Sequence, residues 1–408
     1  MKRNWKKNLI GLLILSQLGS GVLSFILSWY VLEVTNSALS FSSVVIPTSI
    51  VGLVVAYPIG KVVDKYSKNR LMVLAQLMSI LSLVIFGLFR YTHGDAYLSV
   101  SIITLNVCLS VCDEFISTSL LAAAQQIVNS EDELGSYNSL SQTIRSICSM
   151  TAPLLGAALY HLFSLTTFVI IEIVIEAICV FYIYNIKLVN EVEVQEETET
   201  VKSDLSIGDM VNYLLSRKII VHLSICMLFL NLLMGSLNVG YPFIVSENFK
   251  DKPYIFGFIS FVIPLGMLSA SILYQILRLK SRLVKQAVYS WSGFAAVIIL
   301  IGVSTYYLDL KSYLFAFIMI LSSFIVGFLA SFSQIPTMTF IQKVVPAKLQ
   351  GRIFSLLDSF VKAAVPVSYL LYGLLFDKFN LSLIFMLSGI LVLLYMLFMI
   401  IYANKVKE

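Results

Sequence analysis

Twelve apolar runs, each about long enough to cross a bilayer, are separated by short breaks that hold most of the charge in this chain. They cover residues 9–32, 41–63, 71–90, 97–125, 134–160 and 166–187, then 218–246, 254–278, 284–307, 312–342, 352–375 and 381–403. A helix of about 20 residues rises about 30 Å, the thickness of the hydrocarbon layer, and it satisfies its backbone hydrogen bonds internally. The expected fold is therefore all-α, a polytopic membrane protein with twelve transmembrane helices. Composition excludes a soluble alternative. Of 408 residues, 58% are hydrophobic and 12% charged, against about 25% charged in soluble domains. The first run lacks a small-residue cleavage pattern after a short core, so it is expected to remain as a span and not to leave as a signal peptide.

The basic residues lie on alternate breaks. Twenty-one of the 28 Lys and Arg fall at the two ends of the chain, in the breaks after runs 2, 8 and 10, and in the centre; five fall in the intervening breaks. The positive-inside rule then puts both termini in the cytoplasm of a multi-pass plasma-membrane protein. The net charge of +5 is read as this topology signal and not as a nucleic-acid surface. Residues 189–216 crowd Glu191, Glu193, Glu196, Glu197 and Glu199 into a segment that cannot enter lipid. It reads as a cytoplasmic acidic linker between a six-helix bundle at 1–188 and another at 217–408.

The two halves repeat. A shift of 216 residues carries Gln126 onto Gln342, Val128 onto Val344, Gly135 onto Gly351 and Ser139-Leu140 onto Ser355-Leu356. With a slip of one, Arg145 falls on Lys362 and Gly156 on Gly373. Half-chain repeats in one orientation are how many transporters are built.

Charge within a span costs at least a few kcal/mol, so each case needs a partner or a role. Glu172 and Glu176 are four apart and share one face of span 6; such a pair is suited to holding a proton, or else hydrogen-bonds a neighbouring helix or meets headgroups. Asp113 and Glu114 are adjacent in span 4, so at most one readily faces a cavity. Arg145, within span 5, is expected to pair with the carboxylates of spans 4 and 6 or with a polar substrate group. Its repeat mate Lys362 has Asp358 one turn earlier, a pair able to neutralise itself or to act as a substrate or proton switch. Glu33 follows Trp29-Tyr30 at the end of span 1, at the outer mouth. The five cysteines lie in apolar runs and read as packed, reduced thiols. His93, His161 and His222 are scattered, no Gly-x4-Gly-Lys-Ser/Thr run occurs, and no metal, cofactor, catalytic residue or ATP hydrolysis is expected.

Several stretches resemble the major facilitator superfamily, and within it macrolide-efflux-like and drug:proton antiporter members. Gly60-Lys61-Val62-Val63-Asp64-Lys65, followed by Lys68 and Arg70, looks like the signature loop between its helices 2 and 3, with Ser67 where Gly is usual. Ala152-Pro153-Leu154-Leu155-Gly156 resembles the antiporter motif of drug exporters, with Ala152 in place of its first Gly. Thr35-Asn36-Ser37 after Glu33, and Val345-Pro346 followed by Gln350-Gly351-Arg352-Ile353-Phe354-Ser355, are similar to the macrolide-efflux group. The resemblance implies two pseudo-symmetric six-helix bundles. It also implies a conformational latch at Gly60, Asp64, Lys68 and Arg70, with Asp64 against the start of helix 11 and a basic residue bridging to helix 4. Pro153 and Gly156 would be packing positions.

The expected function is secondary active transport, most concretely proton-coupled efflux of amphipathic, macrolide-like small molecules by alternating access. Import or lipid flipping on the same scaffold is the alternative, and a membrane immunity or sensor protein that binds without moving its ligand is a third. Expected partners are the small-molecule substrate, protons and the lipid bilayer, with no nucleic acid. One twelve-helix chain contains a complete pathway and is expected to work as a monomer.

Overall fold

A computed structural model describes residues 4–94, 97–127, 131–184, 214–249, 252–277, 282–345 and 347–403. The acidic linker lies almost wholly outside them. Every extended element among the described residues is a helix. In the first half these are α1 Asn4–Thr35, α2 Ala38–Val54, α3 Ala56–Lys65, α4 Lys68–His93, α5 Leu98–Ile127, α6 Glu131–Leu159 and α7 Leu165–Tyr184. In the second they are α8 Lys218–Asn248, α9 Tyr254–Leu277, α10 Leu283–Tyr307, α11 Tyr313–Val344, α12 Ala347–Lys362, α13 Ala364–Lys378 and α14 Leu381–Ala403.

Ten of the helical stretches are long and apolar enough to span a membrane. The two runs that fall short are the second, a shorter apolar helix at Ala38–Gly52, and the fifth, whose helix begins with the polar stretch Glu131-Asp132-Glu133.

Runs 2 and 11, expected as continuous helices, are each kinked, at Val55 and Ala363, which keep helical φ/ψ, with Val55 N bonding Val51 O and Ala363 N bonding Ser359 O. Pro58 is the third residue of α3 and Pro366 the third of α13. A proline lacks the N–H that would bond the carbonyl four residues back, and its ring crowds that carbonyl. Those carbonyls belong to Val54 and Lys362, the last residues of α2 and α12. Both runs therefore kink at the same distance before a proline, where the carbonyl four residues back loses its partner.

The described residues divide into two compact units, Met1–Thr35 with Ser43–Glu199, and Asn36–Ser42 with Thr200–Glu408. In the first, α1 packs on α6 and α7, and α4 packs on α5 and α7. In the second, α8 packs on α13 and α14, and α10 packs on α11 and α14. These are the same pairings under the repeat: spans 1·5, 1·6, 3·4 and 3·6 become 7·11, 7·12, 9·10 and 9·12.

The segment Asn36–Ser42, which includes the first turn of α2, is held within the second unit by α13. Asn36 ends α1 by taking φ 48°, a left-handed conformation that Asn tolerates. Ser37 then caps α2, its Oγ accepting from Ser40 N at 3.1 Å. Asp377 accepts from Ser37 Oγ and Ala38 N, each at 2.6 Å, and from Leu39 N at 3.3 Å. A carboxylate at a helix N-terminus answers both the unpaired N–H groups and the helix dipole.

Candidate functional site

The first unit encloses a cluster of carboxylates at the meeting of α1, α4, α5 and α7. Glu172 and Glu176 on α7 are 4% and 5% exposed, so both turn inward and neither faces lipid. Gln76 of α4, fully buried, donates its side-chain amide to Glu176. Asp113 of α5 interacts electrostatically with both glutamates and hydrogen-bonds Ser20 of α1. Helix α1 comes this close because residue 19 has no side chain. A Cβ there would stand 2.9 and 3.0 Å from the two Glu172 carboxylate oxygens. Three acidic side chains, two of them buried, thus converge where α5 and α7 meet α1.

Glu114, next to Asp113, is half-buried on a different face of α5. Arg145 of α6 is also half-buried, and it reaches α5 through Ser117 Oγ at 3.3 Å, one turn beyond Asp113. Pro153 and Gly156 lie where α6 crosses α1. A Cβ on Gly156 would fall 2.7 Å from the Phe25 ring, and one on Gly21 would fall 2.8 Å from Ala152 Cβ. Farther along the same pair, Tyr160 donates to the exposed Glu33, and Arg90 of α4 donates to Tyr30 Oη of α1 at 2.7 Å while lying 4.8 Å over its ring.

In the charged loop, Asp64 falls in the last turn of α3 and Lys68 and Arg70 in the first turn of α4, with only Tyr66 and Ser67 between the helices. Each of these charges has the unfavourable sign for its own helix dipole, a cost of about 0.3–1 kcal/mol apiece. Their placement is therefore not explained by helix stability. Gly60 lies in open space, with nothing within 4 Å of where a Cβ would sit. The side chains of Asp64 and Asp358 lie outside the described residues. Lys362 is exposed at the end of α12.

Residues 9–364 match the family model of the Major Facilitator Superfamily. The chain belongs to the major facilitator superfamily. It is 24% identical to macrolide efflux protein A of Streptococcus pyogenes, over 93% of this chain and 91% of the relative. Among solved structures it resembles a bacterial homologue of the iron transporter ferroportin in an inward-facing state, with TM-score 0.69, 16% identity and 97% and 98% of the two chains covered. It also resembles a POT family transporter in complex with 5-aminolevulinic acid, with TM-score 0.70, 11% identity and coverage of 99% and 96%. Family and fold make it a multi-pass membrane protein built for secondary transport.

Sequence reasoning on this facilitator missed three participants in the cluster: Gly19, Ser20 and Gln76. A signal for two of them was present. The 216-residue shift carries Gly19-Ser20 onto Gly235-Ser236. Gln76 had no such mark, being one amide in an apolar run.

Proposed function

We propose that this major facilitator is a proton-coupled exporter of amphipathic small organic molecules, working by alternating access as a monomer in the plasma membrane, with both termini in the cytoplasm. The observation that carries the coupling is the convergence of half-buried Asp113 on the buried Glu172 and Glu176, beside the buried Gln76 and Ser20 of α1. A carboxylate is tolerated inside a membrane when it is protonated or paired, and mutual repulsion favours a retained proton. Losing that proton toward one side and regaining it from the other would tie the state of α1 to the proton gradient. The likeness to a macrolide efflux protein supports outward movement of amphipathic compounds, and the excess of basic residues on alternate breaks supports the orientation. Gly60, Asp64, Lys68 and Arg70 act as the conformational latch, which gives a reason for charges placed against their own helix dipoles. Arg145, Glu114, Asp358 and Lys362 remain secondary candidates for contact with substrate.

The test is accumulation of a panel of amphipathic drugs, macrolides included, in cells expressing wild type, Glu176→Gln or Asp64→Asn, with and without a protonophore. The expected result is lower accumulation in wild type only, lost when the protonophore is added. Higher accumulation in wild type would instead establish uptake. Lower accumulation indifferent to the protonophore would overturn proton coupling.

A further inference from the structure

We propose that Asn231 and Asn238 of α8, with Met227, Met234 and Tyr369, form the surface on which the second unit binds substrate, and that they select amphiphiles rich in hydroxyl and carbonyl groups over bare lipophilic cations. Such a site deepens the export reading above, on which it rests, by naming the chemistry of the cargo. Helix α8 is the centre of the second unit and packs on each of α9 to α14. From Leu233 to Ser246 every residue is buried except Met234 and Asn238. Half-buried Met227 and Asn231 extend the same line toward the start of the helix. Steps of four, three and four residues put these side chains one above another on a single face.

Two asparagines on that face are out of place against lipid. An amide loses its hydrogen bonds in hydrocarbon, and polar side chains within a span turn to the protein interior or to a water-filled cavity. Interior partners do not use these two up. Asn231 Nδ2 reaches Met227 O at 3.3 Å and Val361 O at 3.5 Å, both from one end of the amide. Its Oδ1 accepts from no side chain or backbone group among the described residues. Asn238 is hydrogen-bonded to the side chain of Tyr369, itself half-buried on α13. Both amides lie within about 8 Å of the middle of α8 along its axis, the depth at which transporters built from repeats hold their substrates.

The α8 stripe carries no charge. Its amides donate and accept, so they suit hydroxyl and carbonyl groups and offer nothing that neutralises a cation. The two methionines supply unbranched, polarizable side chains that repack around varied apolar skeletons. The 216-residue shift carries Asn231 onto Leu15 and Asn238 onto Val22, so these amides are particular to the second unit.

The probes for the test are erythromycin, an amphiphile bearing hydroxyls and carbonyls, and tetraphenylphosphonium, a lipophilic cation with no hydrogen-bonding group. Equilibrium binding of each is measured on the full chain in liposomes with no proton gradient. Wild type should bind erythromycin the more tightly. Asn231→Leu or Asn238→Leu should weaken erythromycin binding by about tenfold and Tyr369→Phe by about threefold, and none should weaken tetraphenylphosphonium. Equal or tighter binding of tetraphenylphosphonium by wild type, or erythromycin binding unchanged in both asparagine variants, would overturn the assignment. Accessibility gives a second readout that does not depend on affinity. In a Cys108→Ser background, Asn231→Cys, Met234→Cys and Asn238→Cys should react several-fold faster with a charged methanethiosulfonate reagent than Leu394→Cys on the exposed face of α14, which is apolar throughout. Erythromycin should slow those reactions. Rates no faster than at Leu394→Cys would put the stripe against lipid and sink the site. Loss of protonophore sensitivity in the accumulation assay would overturn the coupling without moving these binding constants, so the two readings fail separately.

Discussion

The helix pair α4·α7 in the first unit and the pair α10·α14 in the second occupy the same place in the repeat, yet they are held together by opposite means. Between α10 and α14 the contact is backbone on backbone. A Cβ on Gly302 would fall 2.7 Å from Met386 N, and one on Gly389 would fall 2.9 Å from Ala295 O. Ser382 adds a hydrogen bond to Gly302 O at 2.6 Å. Between α4 and α7 the buried Met72 clusters with Cys179 and Ile183 and Gln76 hydrogen-bonds Glu176, while Gly87, within one residue of the counterpart of Gly302, has nothing within 4 Å. Small residues let membrane helices approach closely and gain dispersion and weak hydrogen bonds. In the proposed coupling, a carboxylate at such a contact makes the attraction depend on protonation. The second unit is thus a frame closely packed through backbone, whereas in the proposed mechanism the first contains a joint whose strength a proton changes.

The largest expected effect tests the frame. In Gly327→Ala the new Cβ would fall 2.0 Å from Ile263 O, a clash with backbone that no rotamer relieves. Overpacking of this kind costs about 3 kcal/mol or more, and the thermal unfolding midpoint of purified protein should drop clearly. Gly235→Ala, with its Cβ 2.4 Å from Ser368 Oγ and 3.2 Å from the Ser368 carbonyl carbon, should cost about 2 kcal/mol. If both variants melt with wild type, backbone contact does not hold the second unit together.

Glu176→Gln tests the joint. The amide keeps the shape and can still hydrogen-bond Gln76, so the melting temperature should move little. Proton-driven transport should fall at least about tenfold, equivalent to about 1.4 kcal/mol. Uptake of a probe drug into inverted vesicles under an imposed proton gradient measures it. A variant that transports normally but melts early would make the cluster structural.

Gly19→Ala sharpens the comparison at a single repeated position. At Gly235 the obstacle includes backbone; at Gly19 it is the end of the Glu172 side chain, with Ile175 Cγ2 at 3.1 Å. A side chain can swing away, so the stability cost should be about 1 kcal/mol, less than for Gly235→Ala. Displacing the Glu172 carboxyl should nevertheless reduce coupling, seen as a weaker dependence of transport on the pH difference. Equal melting losses at the two glycines would erase the distinction between frame and joint.

The sequence made the bundle legible because lipid imposes a simple rule: each span must be long, apolar and helical. It did not show that runs 2 and 11 kink, although Pro58 and Pro366 were visible, because Pro47, Pro153, Pro242, Pro264 and Pro336 all lie inside single helical elements. Whether a proline kinks a span depends on what its neighbours support. In the candidate site, the cost of membrane charge exposed Asp113, Glu172 and Glu176 directly. Gln76 and Ser20 stayed hidden because a neutral polar side chain costs little in sequence terms. Its importance comes from which helix faces it, and that is a property of packing.

The smallest expected effect is at Gly60, and its value lies in the contrast with the glycines above. Here a Cβ meets nothing, and Gly60 is midway along α3, where alanine is the better helix former by up to about 1 kcal/mol. Gly60→Ala should therefore leave the melting temperature unchanged or slightly raised. Packing in this state gives no reason for a glycine at 60, so any requirement for it must come from another conformation of the same loop. If Gly60→Ala folds normally and exports slowly, the latch closes through a contact too tight for a methyl group. If it exports at the wild-type rate, Gly60 leaves the latch, and its charged neighbours Lys68 and Arg70 act as topology signals alone.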